Sequence, residues 1–315
     1  MKKAIIHIGV HKTGTTSIQN WLWNNRSVLS SSFGWEYPKE FSINNAHHAI
    51  PWSVIPQFED NPISRPHRTS IDAIKARVQK KSQVIISSEP FCMADDSEAD
   101  IIRDIFDGFD TTVVMYVRRQ DKLIQSEYVQ RVKQEVFPLT EPFSGFSALW
   151  RSRVPSLDFF HLYKRWSQRF ERVVVKDFDA AVCTGIIKSF LEIIGAESAA
   201  PDREVAENIS LNYHYIAALR EANIIDSFSP GARIELEKKM SNMKFPQGKL
   251  SFFKGATAQR YMDQFISGNE KLTLDLNTKF LGFDDKFPYV LPHEYVETDV
   301  SRYIDWFQRV LVPRW

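Results

Sequence analysis

Cysteine is scarce: Cys92 and Cys183 are the two in 315 residues, far apart and with no Cys or His at ligand spacing around them. That excludes a disulfide framework and a zinc site, and points to buried free thiols in a reducing compartment. No apolar run approaches the roughly 18 to 20 residues of a membrane span. The apolar start Ala4-Ile5-Ile6-His7-Ile8 is too short for a signal peptide and runs straight into His11-Lys12-Thr13-Gly14, so it reads as a buried strand. An excess of charge is missing too, since 40 Lys and Arg face 39 Asp and Glu for a formal net charge of +1. Nothing global draws this chain to nucleic acid or a polyanion, and any anion site must be local. No repeat or low-complexity tract is visible. A soluble, cytoplasmic protein without a metal is expected, and its oligomeric state is not readable.

Hydrophobic residues make up 43% of the chain, enough for one large core or two modest ones. Four short β-branched runs carry the sheet signal: Ala4 to Val10, Gln83 to Ser88, Thr111 to Val117 and Arg172 to Lys176. Amphipathic stretches follow them, among them Thr16 to Asn25, Asp121 to Gln134 and Val182 to Ile194. Apolar strands alternating with helices predict an α/β fold: a P-loop-like central parallel sheet flanked by helices. Between the first two strands, residues 30–71 show little periodicity and read as a mobile acceptor loop. A second irregular segment covers Val136 to Asp158. Helical patterns at Leu211 to Glu221, Ile234 to Met243 and Ala256 to Leu281 predict a C-terminal cap. The expected organisation is one domain over 1–315, with an α/β core in 1–200 and a mostly helical cap in 201–315.

The sharpest local pattern is Gly9-Val10-His11-Lys12-Thr13-Gly14-Thr15-Thr16-Ser17, where the first strand gives way to a helix. A glycine-bearing turn at a helix N-terminus presents backbone N–H groups and a positive dipole end to an anion, and hydroxyls add donors. Such a turn also occurs as an ordinary cap, but strand, lysine, glycine and consecutive hydroxyls together favour phosphate binding. The nucleoside-triphosphate P-loop would place a lysine directly after Gly14. Thr15 stands there, and Lys12 lies two residues before the glycine.

His11-Lys12-Thr13-Gly14-Thr15-Thr16 resembles the 5'-phosphosulfate-binding loop of sulfotransferases that use 3'-phosphoadenosine-5'-phosphosulfate (PAPS). The resemblance implies that Lys12 stabilises the leaving group. It also implies that His11, Thr13, Gly14, Thr15, Thr16 and Ser17 cradle the phosphate. Arg118, leaving the third strand, is followed eight positions later by Ser126, which resembles the family's 3'-phosphate motif. Arg119 is an alternative to Arg118. Asn208-Ile209-Ser210-Leu211 and Phe253-Lys254-Gly255 resemble further family elements more distantly.

The implied reaction moves a sulfuryl group from PAPS to a hydroxyl or amine, leaving 3',5'-adenosine bisphosphate (PAP), with no metal needed. The resemblance, to bacterial carbohydrate-sulfotransferase-like members, favours a carbohydrate or glycoconjugate acceptor; another small hydroxyl compound is the broader expectation. The acceptor needs a general base. Glu89, directly after the second strand, is one candidate, and His47 and His48 are the others. Trp35, Tyr37, Trp52, Arg65, His67 and Arg68 add aromatics and cations that suit a sugar or an acidic acceptor. Two rival classes stand beside this reading: a P-loop kinase of small molecules, and a nucleotide-binding protein without turnover.

Overall fold

A computed structural model describes residues 1–134, 138–153, 157–202, 213–224, 251–253 and 256–280. Four strands, β1 (Lys2–His7), β2 (Gln83–Ser87), β3 (Phe109–Val117) and β4 (Arg172–Asp177), form one sheet in the order β2-β1-β3-β4. Every neighbouring pair is parallel. Ala4, Ile5, Ile6, Val84, Ile85, Ile86 and Val113 to Val117 are almost wholly buried, as strands covered on both faces must be. Parallel pairing then demands crossovers, which the helices supply.

Between β1 and β2 lie α1 (Thr15–Asn24), α2 (Arg26–Phe33), α3 (Ala49–Val54) and α4 (Ile71–Val78), with 3-10 turns at Pro56–Phe58 and Arg65–His67. A 3-10 turn at Glu89–Met93 and α5 (Asp96–Ile105) join β2 to β3. Then come α6 (Gln120–Lys133), α7 (Phe143–Arg153) and α8 (Phe159–Ser167) before β4. After β4 run α9 (Phe178–Thr184), α10 (Ile186–Ile193), α11 (Tyr213–Ile224), α12 (Ala256–Asp263) and α13 (Ile266–Leu276).

Residues 30–71 differ from the expected loose loop. Glu36 forms a parallel bridge with Val84, the Trp35 indole donates to the Ile194 carbonyl at 3.0 Å, and Tyr37, His47 and Ile50 are buried. The short helices here carry too few turns for a period to show. The helix expected over Val182 to Ile194 is two, parted at Gly185, whose φ of 101° no other residue adopts easily. Ala256 to Leu281 likewise divides into α12 and α13. Cys92 is buried as expected, whereas Cys183 is exposed on α9.

The chain packs as two compact units. The first holds the sheet, the residues before 120, the described residues of 154–207, and α13, which packs on α8. Its core on one sheet face joins Ile5, Ile85, Val114 and Tyr116 to Ile18 and Leu22 of α1 and to Phe190 and Leu191 of α10. The second unit is built around α6, against which α7, α11 and α12 pack. Tyr128 of α6 meets the rings of Phe143, Phe146 and Phe252, and the Gln125 side-chain Oε1 accepts from the Phe252 N–H at 2.7 Å. The sequence patterns at Ile234 to Met243, Asn208 to Leu211 and Lys254-Gly255 lie outside the described residues.

Candidate functional site

Connections leave β1 toward β2 on one side and β3 toward β4 on the other, so the chain reverses direction between β1 and β3. Open parallel sheets bind ligands in the crevice at such a point, outside the strand C-termini. The backbone beyond β1 stays beside β3, with Val10 N–H donating to the Tyr116 carbonyl at 3.1 Å and Tyr116 N–H donating to that of Gly9 at 2.7 Å. The turn after β1 therefore emerges at this crevice, as do Arg118 and Arg119 after β3.

The turn is tight. Lys12 has a φ of 64° and Gly14 one of 73°, both left-handed, and such strain in a non-glycine residue gathers at functional sites. Thr13 is buried, and its hydroxyl donates to the Val10 carbonyl at 2.7 Å, closing the turn on itself. What Thr13 can offer an anion is its backbone N–H. Gly14 stands at the N-cap of α1, where no side chain caps the helix and the first turn carries no acidic residue. α1 itself thus supplies neither a side-chain cap nor an acidic residue to the backbone donors and positive dipole end of its first turn. Thr16 is exposed and Ser17 half-buried on the first turn, while Thr15 turns inward.

Thr15 turns to Glu89. Its hydroxyl donates to Glu89 Oε1 at 3.3 Å, and the Gln19 amide donates to Glu89 Oε2 at 3.0 Å. Gly9, at φ 96°, lies so close that an added Cβ would sit 3.1 Å from the Glu89 Cβ. Burial pushes the Glu89 carboxyl up, but nearby His48 and His11 and the Gln19 hydrogen bond outweigh it and hold the group below the usual carboxylate range. Glu89 is ionised at neutral pH.

The two histidines of the 47–48 pair are placed differently. His47 is fully buried; one ring nitrogen meets the Pro38 carbonyl at 2.8 Å and the other accepts from the Ser87 N–H at 3.1 Å. Burial drives its pKa down to about 4. Both nitrogens are occupied in holding the 38–47 segment against β2. His48 is half-buried, bonded through Nδ1 to the Ser88 hydroxyl at 2.7 Å and stacked on Trp52 with ring centres 5.2 Å apart. Burial lowers its pKa also, with Glu89 opposing and His11 reinforcing. The ring of Trp52 in turn lies near those of Phe58 and His67, so an aromatic ledge leads away from Glu89. Trp35 and Tyr37 are core residues instead, and Arg68 donates to the Trp52 carbonyl at 2.8 Å.

Arg118 sits 3.4 Å from Asp179 and with its guanidinium 5.0 Å from the Phe178 ring centre. Arg119 is almost wholly buried. Ser126 is half-buried on α6, in the other unit. Two residues that sequence reasoning passes over, Gln19 and His7, join the site from behind. Their signal was present: each is a polar residue at an inward position of an otherwise apolar pattern. Among the described residues no cluster of His, Cys, Asp and Glu is arranged to hold a metal ion, and no helix is long and apolar enough to cross a membrane.

Sheet order, the turn at the end of β1 and the arginines after β3 define a P-loop-like α/β fold. Among solved structures, a sulfotransferase from Alicyclobacillus acidocaldarius superposes with a TM-score of 0.53 and 13% identity, covering 90% of this chain and 100% of that one. The chain therefore has a sulfotransferase-like fold. A protein from Archaeoglobus fulgidus described as uncharacterized is 25% identical over 221 residues, which are 68% of this chain. The match spans 57% of that relative's length. No family profile matches the chain.

Proposed function

We propose that this protein is a sulfotransferase moving a sulfuryl group from PAPS to a hydroxyl or amine of a saccharide or other small hydroxyl compound. The observation that carries the reading is the N-terminus of α1, which has no side-chain cap and no acidic residue of its own and lies beside the ionised Glu89 that Gly9 closely approaches. An anion cradle and a proton acceptor share one strand-end crevice, as in-line transfer requires. PAPS supplies the activated sulfuryl group. The turn from Gly9 to Ser17 holds the 5'-phosphate on its backbone donors and on the Thr16 and Ser17 hydroxyls. Arg118 takes the 3'-phosphate.

As the acceptor oxygen bonds to sulfur, Glu89 takes its proton, and Lys12 meets the negative charge left on the phosphate when the sulfur–oxygen bond breaks. The hydrogen bonds that Glu89 accepts from Gln19 and Thr15 hold it in its charged form beforehand. The tilted rings of Trp52, Phe58 and His67 offer aromatic faces to a sugar ring.

Calorimetric titration with PAP, and separately with Mg-ATP, tests the donor site. Tight PAP binding without magnesium is expected. A preference for Mg-ATP would replace the reading with a small-molecule kinase, and binding of PAP with no transfer to any acceptor would leave a nucleotide-binding protein.

A further inference from the structure

Behind Glu89 lies a line of polar side chains that sulfuryl transfer does not itself use. Gln19 is 4% exposed and sits between Ile18 and Leu22 on the inner face of α1, where an apolar residue would be expected. Burying an amide is costly unless its hydrogen bonds are made. Here they are made: Nε2 donates to Glu89 Oε2 at 3.0 Å and to the Ser87 hydroxyl oxygen at 3.2 Å. The amide has one possible orientation, because an ionised carboxylate only accepts and so must face the nitrogen.

Ser87, fully buried on β2, is in turn 2.9 Å from Nδ1 of His7 on β1, also fully buried. Gln19 cannot turn away from Glu89 without stranding a buried amide and giving up its hydrogen bond to Ser87. The other carboxylate oxygen takes the Thr15 hydroxyl, so both oxygens are held by α1, the helix whose N-terminus forms the anion cradle.

We infer that Gln19, anchored by Ser87 and His7, is a positioning residue that fixes the Glu89 carboxylate relative to the cradle at the start of α1. The inference rests on Glu89 being the general base. The titratable groups facing Glu89 are His11 of the turn, His48 ahead of α3, His7 of β1 and Tyr37 of the segment between α2 and α3. All of them remain in a Gln19 variant.

The experiment compares Gln19→Met, Gln19→Glu and Glu89→Gln in the full-length protein. Three quantities are read: PAP affinity by calorimetry, the pH profile of kcat, and the Glu89 titration by carbon-detected NMR. In Gln19→Met, PAP affinity should hold while kcat falls about 10- to 100-fold, the scale of a misplaced catalytic group. The acid limb of the profile and the NMR titration should both move up, because the charged carboxylate has lost a donor. Gln19→Glu should move them further, since two adjacent carboxyls share a proton; it carries the test if the methionine variant no longer binds PAP.

Unchanged kcat and an unmoved acid limb in both Gln19 variants, with kcat reduced in Glu89→Gln, would overturn this inference alone. Full activity in Glu89→Gln would remove the base reading and the inference with it.

Discussion

At Gly14 a methyl group would press on two side chains. It would lie 3.1 Å from the Phe178 ring and 3.2 Å from Ile186, on a backbone at φ 73°. Gly14→Ala should cost about 1–2 kcal/mol from the left-handed backbone alone. A lower urea midpoint with weakened PAP binding is the expected result. Lys12 is a different case, a residue in the left-handed region whose proposed duty is its charge. Lys12→Ala should relieve the backbone strain little, leave the unfolding midpoint near its original value and abolish transfer; unchanged turnover would sink the proposed assignment. Glu89→Gln should lower kcat by about 10²- to 10⁴-fold, the usual contribution of a general base, with PAP affinity retained. If the loss appears instead in a His48 variant, the base belongs to His48.

Among the elements, α5 shows how local chemistry sets a boundary. The Asp95 side chain accepts from the Glu98 N–H at 2.9 Å, and Glu98 reaches back to the Asp95 N–H at 2.7 Å, a reciprocal capping box. Asp95→Ala should cost about 1 kcal/mol, read as a lower urea midpoint with unchanged PAP binding.

The strands were legible because β-branched runs buried on both faces admit few other readings. The turn from Gly9 to Ser17 was legible because its glycines and hydroxyls are consecutive in the chain. Helices of 6 to 8 residues such as α2, α3 and α4 were not, being too short for a period to stand out. The Gln19-Ser87-His7 line was hidden for another reason: its members come from three elements, and only the sheet register and the seating of α1 bring them together. The separate duties of His47 and His48, adjacent in sequence, likewise depend on which side of the chain faces β2.

For the whole molecule, the two fully buried histidines give stability a pH dependence. Burial lowers the pKa of His7 and His47 from 6.5 to about 4 in the folded protein. Between these values the unfolded chain binds more protons than the folded one, so stability rises with pH. The contribution is complete above about pH 6.5 and is lost as pH falls toward 4. Its slope is about 1.4 kcal/mol per pH unit for each histidine within that window. Urea midpoints at pH 7.5, 5.5 and 4.5 should fall in that order, and a flat series would contradict the burial of the two rings.

The packing of Gly9 against Glu89 has a consequence for anyone exchanging loops between proteins of this fold. The end of β1 and the start of the turn after β2 approach closely at Gly9 and Glu89, so they are best exchanged together. A graft carrying one without the other would bring mismatched surfaces together where an added Cβ already lies 3.1 Å from its neighbour. Changes at Trp52, Phe58 and His67, which pack on one another away from that joint, would leave it undisturbed.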